Sequence, residues 1–144
     1  MIKHTYHLSG LSDLDQFSLE LLPHLSDGSV ILLTGELGAG KTTFVSSLAK
    51  TLGITDPVSS PTFALIQTYE GGKGPLHHMD LYRLRSETDC ASLDLDRYLP
   101  PKKGITCIEW PDRLGSLLPE NVIQIHLEYS DAPTARDLKL TLPD

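Results

Sequence analysis

Cysteine is scarce in this 144-residue chain, which holds only Cys90 and Cys107. Two thiols so far apart cannot frame a disulfide-rich fold or a zinc ligand set, so a reducing interior suits them and both are expected to be inert core thiols. Basic residues are also short: 12 Lys and Arg face 19 Asp and Glu, for a formal charge of −7. That balance excludes the broad basic face by which a protein holds nucleic acid through its general field, so any RNA is held by partners. Long apolar runs are missing as well. No stretch approaches the roughly 20 residues needed to cross a bilayer, and the start, Met-Ile-Lys-His-Thr-Tyr-His, lacks the run of a secretory signal. The expectation is a cytoplasmic chain that uses no membrane.

What is present is an ordinary globular mixture, 40% hydrophobic and 22% charged, far from the composition of disorder. A chain of this length removes roughly 70% of its unfolded surface from water, so a single domain over 1–144 is expected. Ser12 stands as an N-cap before Leu14, Phe17, Leu21 and Leu22, which share one helical face. Val30 to Leu33 is a continuous apolar run after the Asp27-Gly28 turn, as a central parallel strand requires. Phe44, Val45, Leu48, Ala49 and Leu52 mark a second amphipathic helix that Gly53 ends. Strands are expected over 62–69, 76–81, 104–108, 122–129 and 137–142, the last as an antiparallel edge, and a helix over 87–99 before Pro100 and Pro101. The fold class implied is α/β: a mostly parallel central sheet, helices on both faces, antiparallel edge strands.

Between the run at 30–33 and the second helix lies Gly35-Glu-Leu-Gly-Ala-Gly40-Lys41-Thr42. This is the spacing of a phosphate-binding P-loop, and each fixed residue has a mechanical reason. The glycines let the backbone curl with its amides inward. The helix beginning near Lys41 adds its positive end and Lys41 adds a full charge toward the terminal phosphates, while Thr42 supplies a hydroxyl for Mg²⁺. Gly35, Leu37, Gly38, Ala39, Gly40, Lys41, Thr42 and Thr43 are therefore the expected nucleotide contacts of the loop.

A magnesium nucleotide also needs a carboxylate at a neighbouring strand end, to hold the ion through its waters or to orient the attacking water. Asp80 and Glu109 each follow an apolar run and both are candidates. Thr62, in the loop after the second helix, stands where a switch threonine would sense the ion and the terminal phosphate. His77 and His78 are adjacent on a strand and so point to opposite faces, which argues against one shared metal and for packed or surface roles. Trp110, the only tryptophan, suits base stacking, partner anchoring or plain packing. The base is expected to be adenine, because a guanine-reading Asn-Lys-x-Asp run is impossible where the single asparagine, Asn121, precedes valine.

Four segments taken together, residues 35–44, Ser59-Ser-Pro-Thr-Phe63, His78-Met-Asp-Leu-Tyr-Arg-Leu84 and Ile108-Glu-Trp-Pro111, resemble the bacterial TsaE family, also called YjeE, in order and spacing. The resemblance implies a weak ATPase subunit, dependent on ATP and Mg²⁺, of the machinery that makes N6-threonylcarbamoyladenosine (t6A37) beside the anticodon of tRNAs reading codons that begin with A. A separate synthase makes the activated group, the TsaD and TsaB proteins transfer it, and hydrolysis by the family's ATPase is thought to reset their complex, so that tRNA is met only through them. Carried onto this chain, Lys41, Asp80 and Glu109 are catalytic, and Thr42, Glu109, Asp80 and Thr62 act at the metal. Adenine contacts come from near Ser12 and Pro133. Two rivals remain: a small-molecule kinase, which needs mobile arginines and a lid, and an adaptor that binds ATP and scarcely hydrolyses it.

Overall fold

The computed structural model describes residues 2–61 and 65–144. Among these, seven strands form one mixed sheet in the order β1-β7-β6-β2-β5-β4-β3. The strands are β1 (Ile2–Leu8), β2 (Ser29–Thr34), β3 (Ile66–Tyr69), β4 (Leu76–Asp80), β5 (Ile105–Glu109), β6 (Ile123–Tyr129) and β7 (Arg136–Leu142). The centre is parallel, with β2 between β6 and β5 and β5 beside β4. The flanks are antiparallel, β3 on β4 at one side and β7 and β1 beyond β6 at the other.

Burial on both faces explains the apolar run of β2, where Val30, Ile31, Leu32 and Leu33 are all enclosed. Alternate residues feed two cores. Ile31 and Leu33 meet helices α1 (Leu11–Leu21) and α2 (Lys41–Thr51), whereas Val30 and Leu32 meet a second layer with Leu81, Cys90, Ile108 and Leu114. Phe17, Phe44 and Leu48 bring α1 and α2 onto the first core, each fully enclosed side chain contributing about 1.5–3 kcal/mol. A buried polar joint also links these helices. Ser18 Oγ lies 2.8 Å from Ser47 Oγ, and Ser47 donates to Asp15 Oδ1 at 2.7 Å. That donor, reinforced by Lys50, holds the Asp15 carboxyl below its ordinary pKa.

Several expectations are corrected. Gly10, not Ser12, is the N-cap of α1, and Ser12 is exposed within the helix. Residues 87–99 do not form one helix: α3 covers only Glu87–Cys90, and a 3-10 turn covers Leu95–Arg97. Ser92 Oγ donates to the Asp89 carbonyl at 2.9 Å, taking an acceptor a continuing helix would use. Asp94 caps the 3-10 turn with non-helical geometry (φ −81°, ψ 68°). Strand β7 is antiparallel as expected but is not an edge, because β1 pairs along its whole length from Ile2↔Leu142 to Leu8↔Arg136. Residues 62–64 of the strand expected at 62–69 lie outside the described residues, Leu65 is a left-handed bend (φ 67°), and β3 begins at Ile66. Both cysteines are free and buried, and burial pushes each thiol's pKa up, away from reactivity.

Candidate functional site

The parallel topology puts the C-terminal ends of β2, β5 and β4 side by side, where ligand crevices of open α/β sheets form. Leu33, one residue from the end of β2, pairs with Glu109, and Asp80 pairs with Glu109 from the other side. From Thr34 the chain enters the glycine loop and emerges at Gly40, the N-cap of α2. The loop is left-handed at Gly35, Gly38 and Gly40 (φ 143°, 80° and 111°). At Gly35 a side chain is also excluded by space, since a Cβ there would stand 2.4 Å from the Leu127 carbonyl oxygen.

The side chains expected at the phosphates converge on one cleft of about 330 Å³, lined by Lys41, Thr42, Thr43, Asp80 and Glu109 together with loop residues Leu37, Gly38 and Gly40. Lys41 is 5% exposed and folds back over the loop. Its Nζ donates to the Gly35 carbonyl at 2.6 Å and sits 3.8 Å from the centre of the Trp110 ring. Burial lowers the Lys41 pKa, and the carboxylates of Glu109 and Asp80 oppose that shift. A cation held among the described residues by a carbonyl and an aromatic face, with acids close by, is poised for an anion. Thr42 Oγ1 donates to Glu109 Oε2 at 2.8 Å. Asp80 is fixed by the Tyr82 amide at 3.0 Å on Oδ1 and by Ser60 Oγ at 3.3 Å on Oδ2. The hydroxyl and two carboxylates are hard oxygen donors, few in number, which is the donor set Mg²⁺ accepts when phosphates and water complete its shell. Thr62 lies outside the described residues.

A second cavity of about 490 Å³ adjoins the first across Gly38, Gly40 and Thr43 and is lined by Leu8, Leu11, Leu14, Leu127 and Pro133 among others. Its apolar walls suit a planar ring. Of the two residues expected near adenine, Pro133 lines this cavity and Ser12 does not; Gly10 and Leu11 line it.

Other residues of the site take roles that the sequence left open or did not mark. His78 is fully buried, with Nε2 2.5 Å from Glu109 Oε2, whereas His77 faces the other way toward Thr68 and Tyr98. Trp110 is left-handed (φ 60°, ψ 51°), which turns the chain out of β5 and lays the indole beneath Lys41. From the C-terminal hairpin, Arg136 Nε donates to the Ala39 carbonyl at 3.0 Å, its Nη2 reaches the Gly38 carbonyl at 3.4 Å, and Tyr129 Oη donates to the Leu37 carbonyl at 3.0 Å. The cation of Arg136 also lies 4.4 Å from the Tyr129 ring. Tyr129 and Arg136 have no local sequence signal; both act from strands remote in sequence.

A parallel-cored sheet whose central strand runs through a glycine loop into a helix, with acids ending the two strands beside it, has the architecture of the P-loop NTPase fold class. Within that class the chain belongs to the TsaE family: the family model described as "Threonylcarbamoyl adenosine biosynthesis protein TsaE" matches residues 8–138. A protein of Nostoc sp. named tRNA threonylcarbamoyladenosine biosynthesis protein TsaE is 48% identical over 110 residues, 74% of this chain and 67% of that protein. A protein of the same name from Rickettsia bellii is 34% identical over 125 residues, covering 86% and 85%. The crystal structure of Bacillus subtilis YdiB superposes with a TM-score of 0.83 at 29% identity, over 99% of this chain and 87% of that one. No described helix is long and apolar enough to cross a membrane.

Proposed function

We propose that this protein is a magnesium-dependent ATPase whose turnover serves threonylcarbamoyl transfer to the adenosine beside the anticodon, acting on the complex of TsaD and TsaB. The observation that carries the reading is the meeting of Lys41, Thr42, Asp80 and Glu109 in one cleft at the mouth of the glycine loop. Lys41 leaves the Gly35 carbonyl and the Trp110 face for the terminal phosphates, where loop amides and the α2 N-terminus add to its charge. Glu109 orients the attacking water and takes its proton as the new phosphorus–oxygen bond forms and the bond to the β-phosphate oxygen breaks, releasing ADP and phosphate. Thr42, Asp80 and Glu109 would hold Mg²⁺, which when bound neutralises charge developing on the phosphates. The apolar second cavity takes the adenine, against Leu11 and Pro133.

Partner dependence has a physical source. Arg113 donates to the Leu84 carbonyl and Asp112, and Arg136 to loop carbonyls, so neither guanidinium is aimed at a phosphate. A charge supplied in trans is worth roughly 10³ to 10⁵ in rate in P-loop enzymes. We expect slow phosphate release from ATP by the chain alone, faster release with the TsaD–TsaB complex and tRNA, and none above background for Lys41→Ala. Phosphate appearing on a small acceptor instead, with no stimulation by the complex, would establish the kinase reading. Nucleotide binding without release in either condition would establish the adaptor.

A further inference from the structure

His78 occupies the position on β4 whose side chain turns toward Glu109 of the neighbouring strand. Its surroundings are unusual for an imidazole. The residue is 0% exposed, and Nδ1 is buried without a hydrogen-bond partner among the described residues. An enclosed polar atom with no partner is costly, and an apolar side chain of similar size would fill the space without that cost. What His78 adds over such a residue is a single contact, Nε2 to Glu109 Oε2 at 2.5 Å. The same oxygen accepts the Thr42 hydroxyl at 2.8 Å, so donors from the sheet and from α2 grip one carboxylate oxygen from two sides.

These two donors differ in what a nucleotide asks of them. Under the ATPase reading above, on which this inference rests, Thr42 is one of the residues that would hold Mg²⁺. The ring of His78 lies beneath, held by β4 between β3 and β5, and among the described residues has no other hydrogen-bond partner. We propose that His78 is a positioning residue for the hydrolytic step: its Nε2–H clamps Glu109 Oε2 throughout turnover, so that the other oxygen, Oε1, is presented to the attacking water. His78 touches neither nucleotide nor water and acts only through Glu109. The neighbouring His77, bonded to Thr68 Oγ1 at 2.9 Å on the opposite face, has no part in this.

The amides of asparagine and glutamine separate the role from mere packing, because a glutamine Nε2 reaches the place of the imidazole Nε2 and an asparagine Nδ2 reaches only that of Nδ1. Steady-state ATP hydrolysis by the full chain with the TsaD–TsaB complex is measured for wild type, His78→Leu, His78→Asn and His78→Gln. Loss of such an orienting partner is expected to lower kcat about 10- to 100-fold in the leucine and asparagine variants. KM for ATP should stay within about threefold, since the group lost acts on the chemical step and not on binding. Glutamine is expected to restore most of kcat. Wild-type turnover in the leucine variant, equal loss in asparagine and glutamine variants, or a rise of KM in step with the fall of kcat would each overturn the role. If leucine prevents folding, the asparagine and glutamine pair decides alone, and failure of both to fold would make His78 structural and overturn it too. A wild-type chain that releases no phosphate would instead overturn the ATPase reading, and the role of His78 with it, in the wild-type arm before any variant is compared.

Discussion

The two halves of the sheet treat the glycine loop in different ways. The parallel half, β2, β5 and β4, delivers side chains to it: Glu109 and Asp80 from strand ends, with His78 behind Glu109. The other half, β6 with the antiparallel-paired β7 and β1 beyond it, sends no acid into the cleft and grips the loop's backbone, through Tyr129 on Leu37 and Arg136 on Ala39 and Gly38. The cause lies in what each strand ends in. β4, β5 and β6 all run with β2 and end on the side of the loop, but β4 and β5 end in the acids Asp80 and Glu109, whereas β6 ends in Tyr129. On the other side β7 runs antiparallel to β6, so the hairpin joining them returns near the loop and Tyr129 pairs with Arg136 at its base. One half brings side chains to the loop and the other ties down its backbone carbonyls.

This division gives separable predictions. Glu109→Gln keeps the hydrogen-bonding shape of the carboxylate and removes the proton acceptor, so kcat for ATP hydrolysis should fall about 10²- to 10⁴-fold. Nucleotide affinity, read by titration with a fluorescent ATP analogue, should change little; an equal loss of affinity and kcat would erase the distinction between the halves. Arg136→Leu should do the opposite. Hydrogen bonds from a charged group are worth about 1.5–3 kcal/mol, and a loop that must be ordered at binding would lose about 10- to 100-fold in affinity. Affinity within about twofold of wild type would show that the loop holds its shape without Arg136.

How much of this could be read from the sequence depends on whether a feature is local. The loop was legible because each of its fixed residues answers a separate mechanical need within eight positions, and Asp80 and Glu109 because each ends a buried run. The grip of Arg136 on Ala39 and the contact of His78 with Glu109 join residues 97 and 31 positions apart, and nothing local marks either. Strand β1 is a different case. Its alternation of Ile2, His4, Tyr6 and Leu8 with Lys3, Thr5 and His7 was available, but only Tyr6 and Leu8 reach the core, so the pattern carried little apolar weight. The expected helix at 87–99 failed for the opposite reason: its composition suited a helix, yet the Ser92 hydroxyl bonds the Asp89 carbonyl and Asp94 takes a non-helical backbone conformation.

Strand β1 also offers the smallest effect and the cleanest test of how loosely this antiparallel rim of the sheet is held. His7 Nδ1 lies 2.9 Å from Asp137 Oδ1 across the β1–β7 pair, and Asp131 stands 3.8 Å from Nε2. The hydrogen bond to Asp137 raises the His7 pKa, with Asp131 and Asp13 adding charge, and the same bond lowers the pKa of Asp137. A raised imidazole pKa stabilises the fold fully below the unfolded value near 6.5, and that contribution fades as pH rises through the higher folded value. A lowered carboxyl pKa stabilises above the unfolded value near 3.8 and fades as pH falls through the lower folded one. The pair therefore acts most strongly between those limits. His7→Gln should lower the thermal midpoint at about pH 5 and lower it less at about pH 8, because the contribution fades as pH rises through the raised folded value. The pair is exposed, so the difference should be small and should shrink in high salt. An equal loss at both pH values would mean that His7 holds β1 by packing and not by charge.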